Sequence, residues 1–175
     1  MSNKTVWTIG HSTHPFDEFL SMLASFQIQH LVDIRRFPGS KRFPQYNKDH
    51  LAQELPKYGI EYTHMGDLGG RRNPAPDSIN TSWRVKAFRG YADYMQTEPF
   101  IKAISELENM GGTQRCAYMC SEAVWWSCHR SLVSDYLKAA GWGVFHIITK
   151  DKLQEHPYTK AASLVHGVLN YSENI

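Results

Sequence analysis

Apolar residues along the chain switch repeatedly between a short-run pattern and a helical one, and the switches divide it into alternating strands and helices. Thr5-Val6-Trp7-Thr8-Ile9 is a β-branched and aromatic run that stops at Gly10, which predicts a strand. Phe16, Phe19, Leu20, Leu23 and Ala24 then recur at helical spacing behind Pro15, a residue suited to a first turn. Leu31 to Ile34 predicts a second strand, and residues 35–47 follow as a Pro-containing loop without apolar period. Asn47 is placed to cap a short helix carrying Leu51, Ala52 and Leu55, and Gly59 leads into a third strand, Ile60 to Thr63. After a long loop over residues 66–83, Phe88, Tyr91, Ala92 and Met95 mark a helix. Phe100, Ile101, Ile104 and Leu107 mark another, stopped by Gly111-Gly112. Cys116 to Met119 predicts a buried fourth strand, Ser127 a cap for a helix through Leu132, Val133, Tyr136 and Leu137, and Val144 to Ile148 a fifth strand.

This alternation predicts an α/β three-layer sandwich with a mostly parallel sheet of about five strands, Rossmann-like and doubly wound. Order 3-2-1-4-5 is the expectation, with the first and fourth strands adjacent. A single domain accounts for all 175 residues, with a core over residues 5–150 and a surface-packed tail over 151–175. Ligands of such sheets bind beyond the carboxyl ends of the strands. The exits are Gly10-His11-Ser12, Asp33-Ile34-Arg35, the stretch from His64 to Gly70, and Cys120-Ser121-Glu122.

Composition adds mostly exclusions. No apolar run is long enough to span a bilayer, and the N-terminus lacks the apolar stretch of a secretory signal. Three cysteines are too few for a disulfide scaffold, which makes a reducing cytoplasm the expected setting. A net charge of +2 argues for no partner by itself, yet residues 35–89 hold eleven Lys or Arg against five Asp or Glu. Within that region Arg35, Arg36, Lys41, Arg42 and Lys48 interleave with Phe37, Phe43 and Tyr46. Cations among rings suit phosphate contact with base stacking. The second loop adds Arg71, Arg72, Trp83, Arg84, Lys86 and Arg89. The expected partner is therefore an anionic small molecule or nucleic-acid component, and no membrane. Charged loops pinned by aromatic residues are the ordinary alternative.

The most pointed chemistry is Cys120-Ser121-Glu122 leading to Cys128-His129-Arg130 at a predicted helix start, where free N–H groups and the helix dipole lower a thiol pKa. Arg130 is placed to fork onto a phosphate or carboxylate. Inert, buried cysteines are the competing reading, chiefly for Cys116 and Cys120. Zinc is a further option, with Cys120, Cys128 and His129 joined by His11 or His64, although the spacing matches structural zinc sites poorly. No P-loop, Gly-x-Gly-x-x-Gly or Gly-x-Ser-x-Gly pattern occurs, and no cofactor is assigned.

Five pieces together resemble the conserved family of domain of unknown function 488. They are Ile9-Gly10-His11-Ser12, Leu31 to Arg35 with Pro38 and Ser40, Gly59-Ile60-x-Tyr62, Leu68-Gly69-Gly70, and the Cys120 to Arg130 segment. The resemblance implies an α/β domain and highlights His11, Asp33, Arg35, Glu122, Cys128, His129 and Arg130, without supplying a reaction. The resulting expectation is an enzyme acting on a phosphate-bearing substrate. Cys120 or Cys128 is its nucleophile, His11 or His129 its proton carrier, and Glu122 an orienting group or acid. Ser12, Asp33, Arg35, Ser40, Arg42, Gly69, Gly70 and Arg130 are the expected ligand contacts. A non-catalytic nucleic-acid-binding module and a Cys/His metal-binding protein are the alternatives.

Overall fold

A computed structural model describes residues 4–173. The strands β1 (Thr5–Gly10), β2 (His30–Asp33), β3 (Glu61–His64), β4 (Cys116–Cys120), β5 (Gly143–Thr149) and β6 (Lys152–Glu155) form one six-stranded sheet, ordered β3-β2-β4-β1-β5-β6. All neighbours are parallel except β5 and β6. Helices α1 (Phe16–Ser25) and α2 (Lys48–Glu54) cover one face. Helices α3 (Lys86–Tyr94), α4 (Glu98–Thr113) and α5 (Arg130–Ala139) cover the other. Successive strand residues point to opposite faces, so the sheet feeds two cores. Trp7, Ile9, Leu31, Ala117, Met119 and Ile147 pack with Phe19, Leu23 and Leu51 on the first face. Val6, Val32, Ile34, Tyr118 and Val144 pack with Tyr91, Phe100, Leu107 and Leu132 on the second. This is the expected three-layer α/β sandwich.

The strand order corrects the expectation in one respect: β4 lies between β1 and β2 instead of outside β1. Strands buried on both faces read as similar apolar runs, so the sequence pattern carries no information about which neighbours which. Adjacency of β1 and β4 does hold, with Gly10 opposite Cys120 in register. The chain leaves β1 through α1 on one face and leaves β4 through α5 on the other, so the switch point of the sheet lies between them. The inserted position also brings the end of β2 against β4, where the Ile34 N–H donates to the Met119 carbonyl at 2.9 Å.

Two boundaries also differ. Of the expected tail over 151–175, residues 174–175 lie outside the described residues, and 151–173 are not merely a surface tail. β6 extends the sheet, and β7 (Ser163–Val165) and β8 (Val168–Asn170) form a hairpin turned by His166 and Gly167, both at positive φ. Tyr171 then returns to the core. The fifth helix starts at Arg130 rather than after Ser127, because Trp125–Ser127 form a single 3-10 turn of their own. Among the described residues no helix is long and apolar enough to cross a membrane.

Candidate active site

At the switch point β1 hands directly to the cysteine segment. The His11 N–H donates to the Cys120 carbonyl (3.0 Å) and the Ser12 N–H to the Ser121 carbonyl (2.9 Å). Gly10 is required by this approach, since a Cβ there would overlap the Glu122 carbonyl. Strand β4 ends at Cys120, the chain loops out through Glu122 to the Trp125–Ser127 turn, and it returns with Cys128 at the threshold of α5.

The return places the sulfurs of Cys120 and Cys128 2.8 Å apart, both as free thiols. Beneath them lies Arg130, 1% exposed. Its Nε–H donates to Cys120 Sγ (3.0 Å) and its backbone N–H to Cys128 Sγ (3.4 Å). Burial works against ionising Cys128, but the Cys120 hydrogen bond and the Arg130 guanidinium outweigh it and bring the thiol down to about 7. Burial and the neighbouring Cys128 push Cys120 up, so the pair divides into a Cys128 thiolate and a Cys120 thiol. Cys116, at the opposite end of β4, is pushed up to about 12 by burial alone.

Arg130 is also the first link of a buried chain, which with neutral imidazoles runs toward Asp135. Its Nη1–H donates to Thr8 Oγ1 (2.9 Å), and Thr8 O–H donates to His146 Nδ1 (2.6 Å). His146 Nε2–H then donates to His156 Nδ1 (2.8 Å), and His156 Nε2–H to Asp135 (2.8 Å). Asp135 further accepts from Thr159 N–H and O–H and from Tyr171 O–H. Trp125 stacks on His146 at 4.7 Å and seals the chain from above.

A cavity of about 450 Å³ opens over the thiols, walled by His11, Arg35, Cys120, Glu122, Cys128 and His129. Its mouth carries Arg36, Phe37, Ser40, Gly70, Arg71 and Phe88. Arg35 is held by a bidentate contact to fully buried Asp33 and by the Tyr46 carbonyl. Its Nη1 approaches His11 Nε2 at 3.3 Å and keeps one N–H for the cavity. Tyr62 O–H donates to the same carboxylate (2.6 Å). His11 stacks on Tyr46 and donates Nδ1–H to the Ser12 carbonyl, and burial holds its pKa down to about 4. Both its nitrogens are therefore engaged. Burial likewise lowers His129 to about 4. Its Nε2–H donates to the Ile34 carbonyl, which leaves Nδ1 as an acceptor without a protein partner.

The expected residues thus divide. His11, Arg35, Ser40, Gly70, Cys120, Glu122, Cys128 and His129 line the cavity. Arg130 does not: it sits under the thiols with its nitrogens committed to Cys120, Thr8 and the carbonyls of Glu122 and Ala123, so it has no fork left for a ligand. Asp33 is buried behind Arg35, and its carboxylate is taken up by that side chain and by Tyr62 rather than by His11. Ser12 belongs to a separate cavity beside Trp125 and Trp126. Gly69 supports the loop, since a Cβ there would meet the Arg36 backbone. Arg42 lies outside the cavity over Phe43, and Ser40 Oγ accepts from the N–H groups of Arg42 and Phe43. Of the second loop's cations only Arg71 reaches the mouth; Arg72 turns to the Tyr94 ring. The sequence reading missed Phe88 and Tyr91 as wall residues, because their helical spacing reads as core. It also missed the His146-His156-Asp135 chain, whose members are dispersed along the sequence and carry no motif. Among the described residues no three His, Cys, Asp or Glu side chains are grouped to hold a metal ion.

The family model described as "Domain of unknown function DUF488" matches residues 15–137. No curated protein and no solved structure matches the chain.

Proposed function

Because the chain belongs to the DUF488 family, whose description names no reaction, we propose its function from the cavity alone: a thiol enzyme acting on an anionic, ring-bearing substrate of nucleotide size. The observation that carries this reading is the Cys128 sulfur, contacted by Cys120 and by the Arg130 backbone N–H, in the wall of a cavity whose mouth is cationic and aromatic. The volume lies within the range of small-ligand sites. Arg35, Arg36 and Arg71 would neutralise a phosphate, and Phe37 and Phe88 would cover a ring. Cys128 would form the bond to the electrophilic centre. Of the two histidines, His129 is the better proton acceptor toward a ligand, since its Nδ1 lone pair is unengaged while His11 is held on both sides.

The rate of alkylation by iodoacetamide, followed by peptide mass, tests this. Thiolate reacts and thiol does not, so labelling of Cys128 is expected to rise with pH around a midpoint near 7. Nucleoside monophosphates are expected to slow it. Arg130→Met and Cys120→Ala are each expected to move the midpoint up toward about 8.5, where an ordinary cysteine titrates. A wild-type midpoint already at that value, or labelling indifferent to every nucleotide, defeats the reading.

One observation favours a second reading, a nucleic-acid-binding module. Phe37 is 64% exposed and lies between the guanidinium groups of Arg36 (5.4 Å) and Arg71 (5.8 Å), a stacking surface between two phosphate contacts. On that reading single-stranded oligonucleotides bind with steep salt dependence, and replacing Arg36 and Arg71 together by Ala lowers the salt slope by about 1.4, the single-strand value for two contacts. Filter binding between low and moderate salt measures it. Binding to free nucleotides with no gain for oligonucleotides decides for the enzyme.

A further inference from the structure

We propose that Cys120 and Cys128 form a redox-active pair that reduces a small peroxide and closes reversibly to a disulfide. Four features of the site support it. The sulfurs, 2.8 Å apart, need only a sub-ångström approach to reach bonding distance near 2.0 Å. Cys128 borders the cavity, which admits an oxidant as small as hydrogen peroxide. It follows the single turn Trp125–Ser127 and precedes α5, so its backbone lies outside regular structure, and the approach needs a side-chain movement alone. Arg130 reaches both sulfurs and is locked by Thr8 and two carbonyls, so it stays in place through either state.

The steps balance. Cys128 thiolate attacks one peroxide oxygen, the O–O bond breaks, and hydroxide leaves to take up the proton that Cys128 had released. Cys128 becomes a sulfenic acid. The negative charge that kept Cys120 protonated has then gone, while the Arg130 Nε–H remains 3.0 Å from its sulfur. Cys120 gives up its proton and attacks Cys128 sulfur, the S–O bond breaks, and the hydroxyl departs as water with that proton. Two thiols have lost two electrons and one peroxide has become two waters. The disulfide removes the nucleophile assigned above, so the oxidised protein is the inactive form of that enzyme. The redox step itself needs no substrate and stands or falls separately.

The test is exposure of the intact protein to hydrogen peroxide followed by thiol counting under denaturing conditions. Three thiols are expected to fall to one, Cys116, and to return to three with dithiothreitol. Glu-C cleaves after Glu122, between the two cysteines, so their fragments stay joined only in the oxidised sample. In Cys120→Ser, Cys128 is expected to persist as a sulfenic acid captured by dimedone, and in Cys128→Ser neither capture nor thiol loss is expected. Three surviving thiols in the wild type, or oxidation of Cys128 to sulfinic acid without joining Cys120, overturns the proposal. Nucleotide protection of Cys128 in the preceding alkylation assay is unaffected by either outcome.

Discussion

Between pH 6.5 and pH 4 the folded chain is expected to lose about 6 kcal/mol of stability through two histidines alone, about 3 kcal/mol from each. His11 and His129 are buried as neutral rings, and both are lowered from 6.5 to about 4. In the unfolded chain each takes up a proton as the pH falls through about 6.5. In the folded chain neither does so until about 4. Across that window the unfolded state binds more protons, so stability rises with pH and falls on acidification. His146 adds in the same direction, since burial, His156 and Arg130 all disfavour its charged form. Against a total stability of about 5–15 kcal/mol for an ordinary domain, this is enough to unfold the protein in mild acid. Urea midpoints from tryptophan fluorescence, taken from pH 7.5 down to pH 4.5, are the measurement. A midpoint that stays level over that range contradicts the burial of these rings. Replacing His129 by Asn should flatten the curve by about half of the two-histidine effect.

Asp135→Ala is expected to cost about 3–5 kcal/mol and to loosen residues 156–171 before the rest of the molecule. Asp135 is completely buried and accepts from His156, from both the backbone and the hydroxyl of Thr159, and from Tyr171. Its removal strands all four donors in a dry interior, where each unmade bond is expensive. Asp135→Asn keeps part of the acceptor set and should fall between. Denaturant unfolding gives the global loss, and hydrogen exchange of the amides following His156 gives the local one. A change under about 0.5 kcal/mol, the scale of a neutral surface substitution, would mean that the C-terminal segment is held by other contacts.

Much of the site was readable because it is local. Cys120, Glu122, Cys128 and His129 lie within one segment, and the strand-end rule places that segment on the same edge of the sheet as His11 as soon as β1 and β4 are recognised as strands. What the sequence could not show is direction. A guanidinium two residues after a cysteine at a helix start looks ligand-ready. Only the packing of Arg130 against Thr8 turns it inward, to act on the sulfurs instead of on an incoming phosphate. The same limit applies to Asp33, whose spacing from Arg35 fits either a relay to His11 or the bidentate clamp that the fold adopts. Strand order escaped for a different reason. Cys116 to Cys120 are all buried, as are the inner residues of β1, and strands hidden on both faces carry no alternation to rank them. The strands after residue 151 carry little apolar signal because they are short and exposed or half-buried, while their anchors, His156 and Tyr171, are single residues outside any period.

The placement of β1 bears on how the chain reaches this state. Its two neighbours in the sheet are β4 and β5, with Trp7 paired to Ala117 and Thr5 to Gly143. More than a hundred residues therefore separate β1 from either partner. Loop closure over such distances slows folding, and an apolar strand left waiting is open to wrong pairing. On the ribosome β1 has no parallel neighbour until β4, more than a hundred residues later, has emerged. Cys120 ends the strand that β1 must find, and Cys128 follows eight residues later. A nascent chain arrested before residue 116 would hold every cation of the mouth and no cysteine at all. The cations of the mouth therefore precede both site cysteines along the chain, and the wall that Cys120 shares with His11 forms only once β4 pairs with β1.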